Sequence, residues 1–230
     1  AAGPDSPMEE DYPPYMDSGS ENFRGIHATM LLEGVSALTL DGLRDLAFDS
    51  YLPGFEGLIP AAIVAWAEAP GTHPLKGELE DEIQVLENWD LRWGVESVPT
   101  SLAIFFGDAL LPMIRDEARA AGMDVYEYGA RLATRDQLLE ALAAASGRLE
   151  EEFGSWQTPW GEINRFQRLT GDIRQDFDDD QPSTPVGFTS SRWGSLASFS
   201  ARPYPGTVRW YGTSGNSFVA VVEFGDSVRA

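Results

Sequence analysis

Arginine, histidine, serine and clustered carboxylates are the side chains of this 230-residue sequence that could support chemistry. Arg24 stands in the stretch ENFRGIHATMLLE at 21–33, just ahead of an apolar helical face, and His27 follows three residues on. That spacing puts the two on related faces of one helix. A guanidinium there is either an ordinary solvated charge or part of a site whose other members lie elsewhere. The ordinary structural reading of His27 outweighs a catalytic one. His73 is the only other histidine, so a multi-histidine metal centre is excluded. No GxSxG elbow marks a Ser-His-Asp triad. Cysteine is absent, which excludes disulfides, thiolate zinc sites and cysteine nucleophiles.

The acidic run DFDDDQP at 176–182 offers the oxygens a hard cation wants. Its spacing lacks the glycine at the sixth position and the glutamate at the twelfth that an EF-hand needs, so it reads as a solvated loop and no metal is assigned. EEDYPPYMD at 9–17 groups acids with two tyrosines, and cation contact there is the lesser reading. Trp66, Trp89, Trp93, Trp156, Trp160, Trp193 and Trp210 could line a sugar-binding surface. Spread along the whole chain, they read better as core and rim packing.

Charge narrows the partners. The formal net charge is −21, from 37 acidic against 16 basic side chains. Such a polyanion repels phosphate backbones, so no nucleic-acid partner is expected. Its plainer effect is solubility. No run approaches the roughly 18–20 apolar residues of a membrane span, so no membrane partner is expected. A hydrophobic content of 43% is that of a globular chain. A cysteine-free composition fits a cytoplasmic or a periplasmic location.

The elements that must position these groups come in two parts. Residues 1–20 form an irregular arm rich in proline, glycine, serine and acid. Helices are predicted over 22–32 and over 40–48, the second capped by Thr39. YLPGFEGLIP places a break near Pro53 and Gly54, followed by helices at 61–68 and 78–88. A longer helix at 100–121 starts near Thr100 or Ser101, and Pro112 should kink or divide it. Thr134 and Gln137 make a capping box for a helix over 137–153. After Trp156 the pattern changes to short β-like runs: a strand within 161–169, an acidic loop at 172–185, and strands at 207–211 and 217–224. The intervening Gly212–Asn216 stretch, GTSGN, reads as the turn of an antiparallel hairpin. Helices first and strands later imply an α+β fold, helical over 1–155, with strands and loops over 156–230 that need a sheet to join. The run at 217–224 is apolar on both faces, as in a strand with neighbours on both sides. It ends near the terminus, and AAGPDSPMEE opens the chain without an initiator methionine or a signal peptide. Both ends lead us to expect a segment, 1–230, of one larger domain.

Several segments, in order, resemble the β chain of the penicillin acylase family, especially its acyl-homoserine-lactone acylase and aculeacin-acylase-like branch. They are DYPPYM, ENFRGIHATMLLE, ALTLDGLRDLAFDSYLP, VLENWDLRWGVESVPTSLAIFFGDAL, WGEINRFQRL and RWYGTSGNSFVAVVEFGD. The likeness covers most of the 230 residues and lies in the order of the pieces rather than in any one of them. It implies the later part of a β chain, within the αββα fold of an N-terminal nucleophile hydrolase. In that family a serine heading the β chain attacks an amide carbonyl with its own α-amino group as base. A backbone N–H and an asparagine side chain hold the oxyanion.

The resemblance puts Arg24 at the position of a supporting arginine near that asparagine. The nucleophile and the oxyanion asparagine have no counterpart here, and Ser6 does not fit the N-terminal serine. The expected activity is therefore that of a parent amidohydrolase, removing an acyl chain from a β-lactam, an N-acyl-homoserine lactone or a lipopeptide, with this segment inactive alone. Its expected partners are the α chain, the N-terminal part of the β chain and a small acyl-amide substrate. Its expected location, by resemblance, is periplasmic or secreted, with the cytoplasm still open. No cofactor is assigned. Calcium binding in the parent enzyme stays open, with Asp17 as the nearest acidic candidate. Phe105, Phe106 and Leu110 could wall an acyl pocket or fill a core. The alternative reading is a non-catalytic, acidic helical binding or scaffold module.

Overall fold

The computed structural model describes residue 13, residues 22–216 and residues 219–225. Its centre is a pair of long helices, α6 (Val98–Ala121) and α8 (Arg135–Phe153). Local signals fix both. Ser97 caps α6 by accepting from Thr100 N, Pro99 sits in the first turn, and Gly122 closes it in the left-handed region. Thr134 and Gln137 form the expected capping box of α8, and Gly154 (φ 79°) ends it. The start of α6 is thus set by Ser97 rather than by Thr100 or Ser101. Pro112 does not divide it, because α6 is packed along much of its length. In length and mean hydropathy α6 could cross a membrane, yet 61% of its most apolar window is buried inside this fold.

Against this pair pack α3 (Leu58–Glu68), α5 (Glu80–Glu87) and α7 (Val125–Arg131), with α4 (Pro74–Glu78) beside α5. The helix expected at 78–88 is α5, while α4 and α7 go beyond the helices that the sequence predicts. Before the bundle come α1 (Phe23–Leu32) and α2 (Leu40–Ala47), capped by Asn22 and Thr39. The core holds Leu52, Phe55, Phe105, Phe106, Leu110, Leu139, Leu142 and Trp193, all almost fully buried. All seven tryptophans are buried or half-buried against it, which removes the sugar-binding surface.

After α9 (Trp160–Ile163) the chain builds a small mixed sheet in the order β2-β1-β4-β3. β1 (Asn164–Phe166) runs parallel to β4 (Trp210–Gly215) and antiparallel to β2 (Thr184–Pro185). β3 (Phe199–Arg202) runs antiparallel to β4. The architecture is α+β, as expected, but the hairpin differs. β4 passes through the stretch expected to turn, and its real partner lies before it. Gly212 and Gly215 serve close approach rather than a turn. A Cβ on Gly212 would stand 2.7 Å from the Phe199 ring, and one on Gly215 2.6 Å from Ser198 O. The turn is Tyr204-Pro205-Gly206-Thr207, with Gly206 at φ 87° and Thr207 N donating to Tyr204 O at 2.9 Å, a type II pattern. Of the strand expected at 217–224, residues 217 and 218 lie outside the described residues. Residues 219–225 carry one bridge residue, Glu223, and are largely exposed rather than buried within a sheet.

Candidate functional site

α1 carries Arg24 in its first turn, and the chain leaves β4 at Asn216 directly opposite. Arg24 Nη2 lies 3.5 Å from Asn216 Oδ1, a long hydrogen bond. Asn216 is itself fixed. Its Oδ1 accepts from Ser198 Oγ (3.0 Å) and Ser198 N (3.3 Å), and its backbone N donates to Ser198 O (3.1 Å). Asn22 caps α1 by accepting from Gly25 N at 2.9 Å. These three residues form the polar end of an open cleft of about 700 Å³. Its walls are Ala28, Leu31 and Leu32 of α1, Leu43 and Leu46 of α2, and residues 219–221. No ion pair to Arg24 forms among the described residues, although the chain is strongly acidic. Among the described residues the group thus presents a positive charge without a carboxylate partner at the mouth of an apolar trough, a setting that favours a carbonyl or an anion.

His27 is 1% exposed. Its Nδ1 is 2.8 Å from Gly194 O and its Nε2 is 3.0 Å from Asp49 Oδ1. Asp49 also accepts from Tyr51 N at 2.9 Å, and Arg92 Nη1 lies 3.0 Å from both its oxygens. Burial would raise the Asp49 carboxyl, but the Tyr51 N–H, Arg92 and His27 outweigh it and hold it below its ordinary value. Tyr51 donates to Glu56 at 2.6 Å, and burial together with that carboxylate pushes its phenol up to about 12. His73 caps α4, accepting from Leu75 N at 3.3 Å, with Nε2 3.5 Å from Asp136. Neither histidine bonds a serine hydroxyl among the described residues.

The remaining candidates separate. Phe105, Phe106 and Leu110 lie in the core rather than on the cleft, with Phe105 packed on Phe153 and Trp210. Asp17 and Ser6 fall outside the described residues. The acidic loop is less solvated than expected. Asp179 accepts from Val208 N (2.6 Å) and from the Tyr211 hydroxyl (2.8 Å), and Gln167 clasps the loop backbone at Asp178. No cluster of three or more histidine, aspartate or glutamate side chains that could hold a metal occurs among the described residues. The sequence alone does not mark Asn216, Asp49 or Arg92 as site residues. Asn216 ends the stretch expected to turn, and the Asp49–Arg92 pair spans 43 positions with no local pattern to mark it.

A family model described as penicillin amidase matches residues 4–230. The chain belongs to the penicillin amidase family. Family membership points to an amide hydrolase of the acylase kind, and the expected penicillin acylase resemblance holds at that level. A search for similar curated proteins returned no match.

Proposed function

We propose that this chain is part of an acylase in which a serine nucleophile from another segment attacks an acyl amide, and that Arg24 supports that attack. The observation that carries the reading is the family match over residues 4–230, taken with Arg24 at the mouth of the cleft. The cleft has one polar end and long aliphatic walls, a shape suited to an acyl chain ending in its amide carbonyl. An N-terminal serine uses its own amine as base, so no histidine is required. That agrees with His27 and His73 being occupied elsewhere. A guanidinium nearby favours the neutral amine and the developing oxyanion.

The substrate class is an amide of a β-lactam, an N-acyl-homoserine lactone or a lipopeptide. The α chain and the N-terminal part of the β chain would supply the nucleophile and the oxyanion asparagine. Met30, Leu32, Val35, Leu38 and Phe48 are exposed apolar residues on and between α1 and α2, and they suit such a junction. This chain alone would be inactive, and the assembled enzyme would work in the periplasm or outside the cell. The test is expression of the full-length gene product followed by assay of 4-nitroaniline release from acyl 4-nitroanilides of several chain lengths. Turnover is expected. A folded, processed protein without turnover on any of them refutes the reading.

A further inference from the structure

We infer that His27 is a positioning residue that moors α1, and through it Arg24, to the rest of the fold. The inference rests on the acylase reading for its kinetic consequence and on geometry alone for the mooring. Of the ten residues of α1, only His27 is buried. Phe23 also packs edge-on against Tyr126 at 4.9 Å, and α1 lies against the segments Pro53–Phe55 and Ser191–Trp193. His27 is thus the one side chain of α1 set fully into the fold.

That imidazole is held from two distant parts of the chain. Both ring nitrogens lie within hydrogen-bond reach of an oxygen, Nδ1 of Gly194 O and Nε2 of the Asp49 carboxylate. Each acceptor is rigid. Gly194 follows Trp193, whose ring stacks on Phe55 at 4.4 Å and fills the slot left by Gly107 of α6. Gly194 has φ 106° and packs on Pro53, so both its conformation and its space call for glycine. Asp49 is held by Tyr51 N and by Arg92. Arg92 in turn follows Leu91, which adopts a left-handed φ of 58° that leucine seldom takes. Leu91 O accepts from Leu52 N, and the Arg92 carbonyl accepts from Trp89 Nε1. The core thus reaches α1 along two arms that meet on one ring. Arg24 lies three residues before that ring on the same helix, so rotation or shift of α1 moves the guanidinium relative to Asn216.

The experiment uses the full-length processed protein with His27→Phe, which keeps an aromatic ring and removes both ring nitrogens, and Asp49→Asn, which weakens one arm at a half-buried site. Amide hydrogen exchange is followed in α1, α6 and α8, and steady-state kinetics on an acyl 4-nitroanilide are measured in the presence and absence of Arg24→Ala. In His27→Phe the α1 amides should exchange at least about tenfold faster while α6 and α8 keep their protection. The value of kcat should fall about a hundredfold, the scale of loss when a remote change misplaces a reacting group, with KM changed far less. In the Arg24→Ala background His27→Phe should cost little more. Asp49→Asn should move exchange and kcat in the same direction by less, and it serves where His27→Phe does not fold. Unchanged α1 protection in a folded variant, or kinetic losses that add fully, overturns the inference. If Arg24→Ala alone leaves turnover intact, the acylase role of Arg24 fails, and α1 exchange still decides whether His27 is the mooring.

Discussion

Asn216 Oδ1 meets Arg24 Nη2 at 3.5 Å, joining residues 192 positions apart in the chain. The end of β4 and the start of α1 therefore share one polar corner, and that corner closes one end of the apolar cleft. Since Ser198 already fixes Asn216, Arg24 is the adjustable member of the pair.

Arg24→Ala in the full-length enzyme should separate rate from stability. The side chain is exposed and has no ion pair among the described residues, so unfolding in urea should change by no more than about 0.5 kcal/mol. Loss of an electrostatic group at an oxyanion site typically costs about 10²–10³ in kcat. Steady-state kinetics beside a urea titration check both halves. Equal activity per folded molecule would remove the role given to Arg24.

Gly107→Ala sets two effects against each other. Alanine favours a helix interior over glycine by about 1 kcal/mol. Here the new Cβ would stand 2.2 Å from Cη2 of Trp193, a ring that is 1% exposed and cannot swing away. Overpacking a closed core costs about 1–3 kcal/mol and should win. Chemical denaturation should show net destabilisation, with altered tryptophan emission in the native state.

Asp49 makes an acid-side prediction. Its folded carboxyl is held below the unfolded value of about 3.9, so its stabilising contribution is present above that value. The contribution is lost as pH falls through the lower folded value. Stability measured for the native chain minus that for Asp49→Asn should therefore be constant near neutrality and shrink below about pH 4. A difference that stays flat down to the acid transition would contradict the assignment.

Within the acidic run, one carboxylate should matter more than its neighbours. Asp179→Ala removes the acceptor of the Val208 amide and the nearer acceptor of the Tyr211 hydroxyl, which keeps a long contact to Asp178 O at 3.4 Å, and should cost about 1–3 kcal/mol. Asp176→Ala and Asp180→Ala alter exposed side chains and should stay within about 0.5 kcal/mol. Thermal melts of the three variants decide it.

The helical part was legible because its signals are local. Thr39, Thr134 and Gln137 announce helix starts within four residues, and the leucine spacing of 138, 142 and 149 gives the buried face of α8. The sheet was less legible because glycine has two uses. Gly212 and Gly215 looked like turn residues, whereas the turn lay in the Pro205-Gly206 pair, a signal that was present and passed over. Arg24 could be singled out only through the family resemblance, since its own surroundings resemble any helix start. His27, Asp49 and Arg92 carry no joint mark in sequence, because their bonds depend on tertiary approach across 22 and 43 positions.

The bond from His27 to Gly194 closes a loop of 167 positions, whereas α6, α7 and α8 follow one another with short connections. Closing long loops costs chain entropy that only later contacts repay, so neighbours in sequence assemble sooner than distant ones. The bundle is thereby expected to stand before the corner bearing Arg24 takes shape. Pulse-labelled exchange during refolding would see this as protection of α1 trailing that of α6 and α8, and simultaneous protection would speak against it. A chain released partly folded would then possess its scaffold and lack the corner where Arg24 meets Asn216.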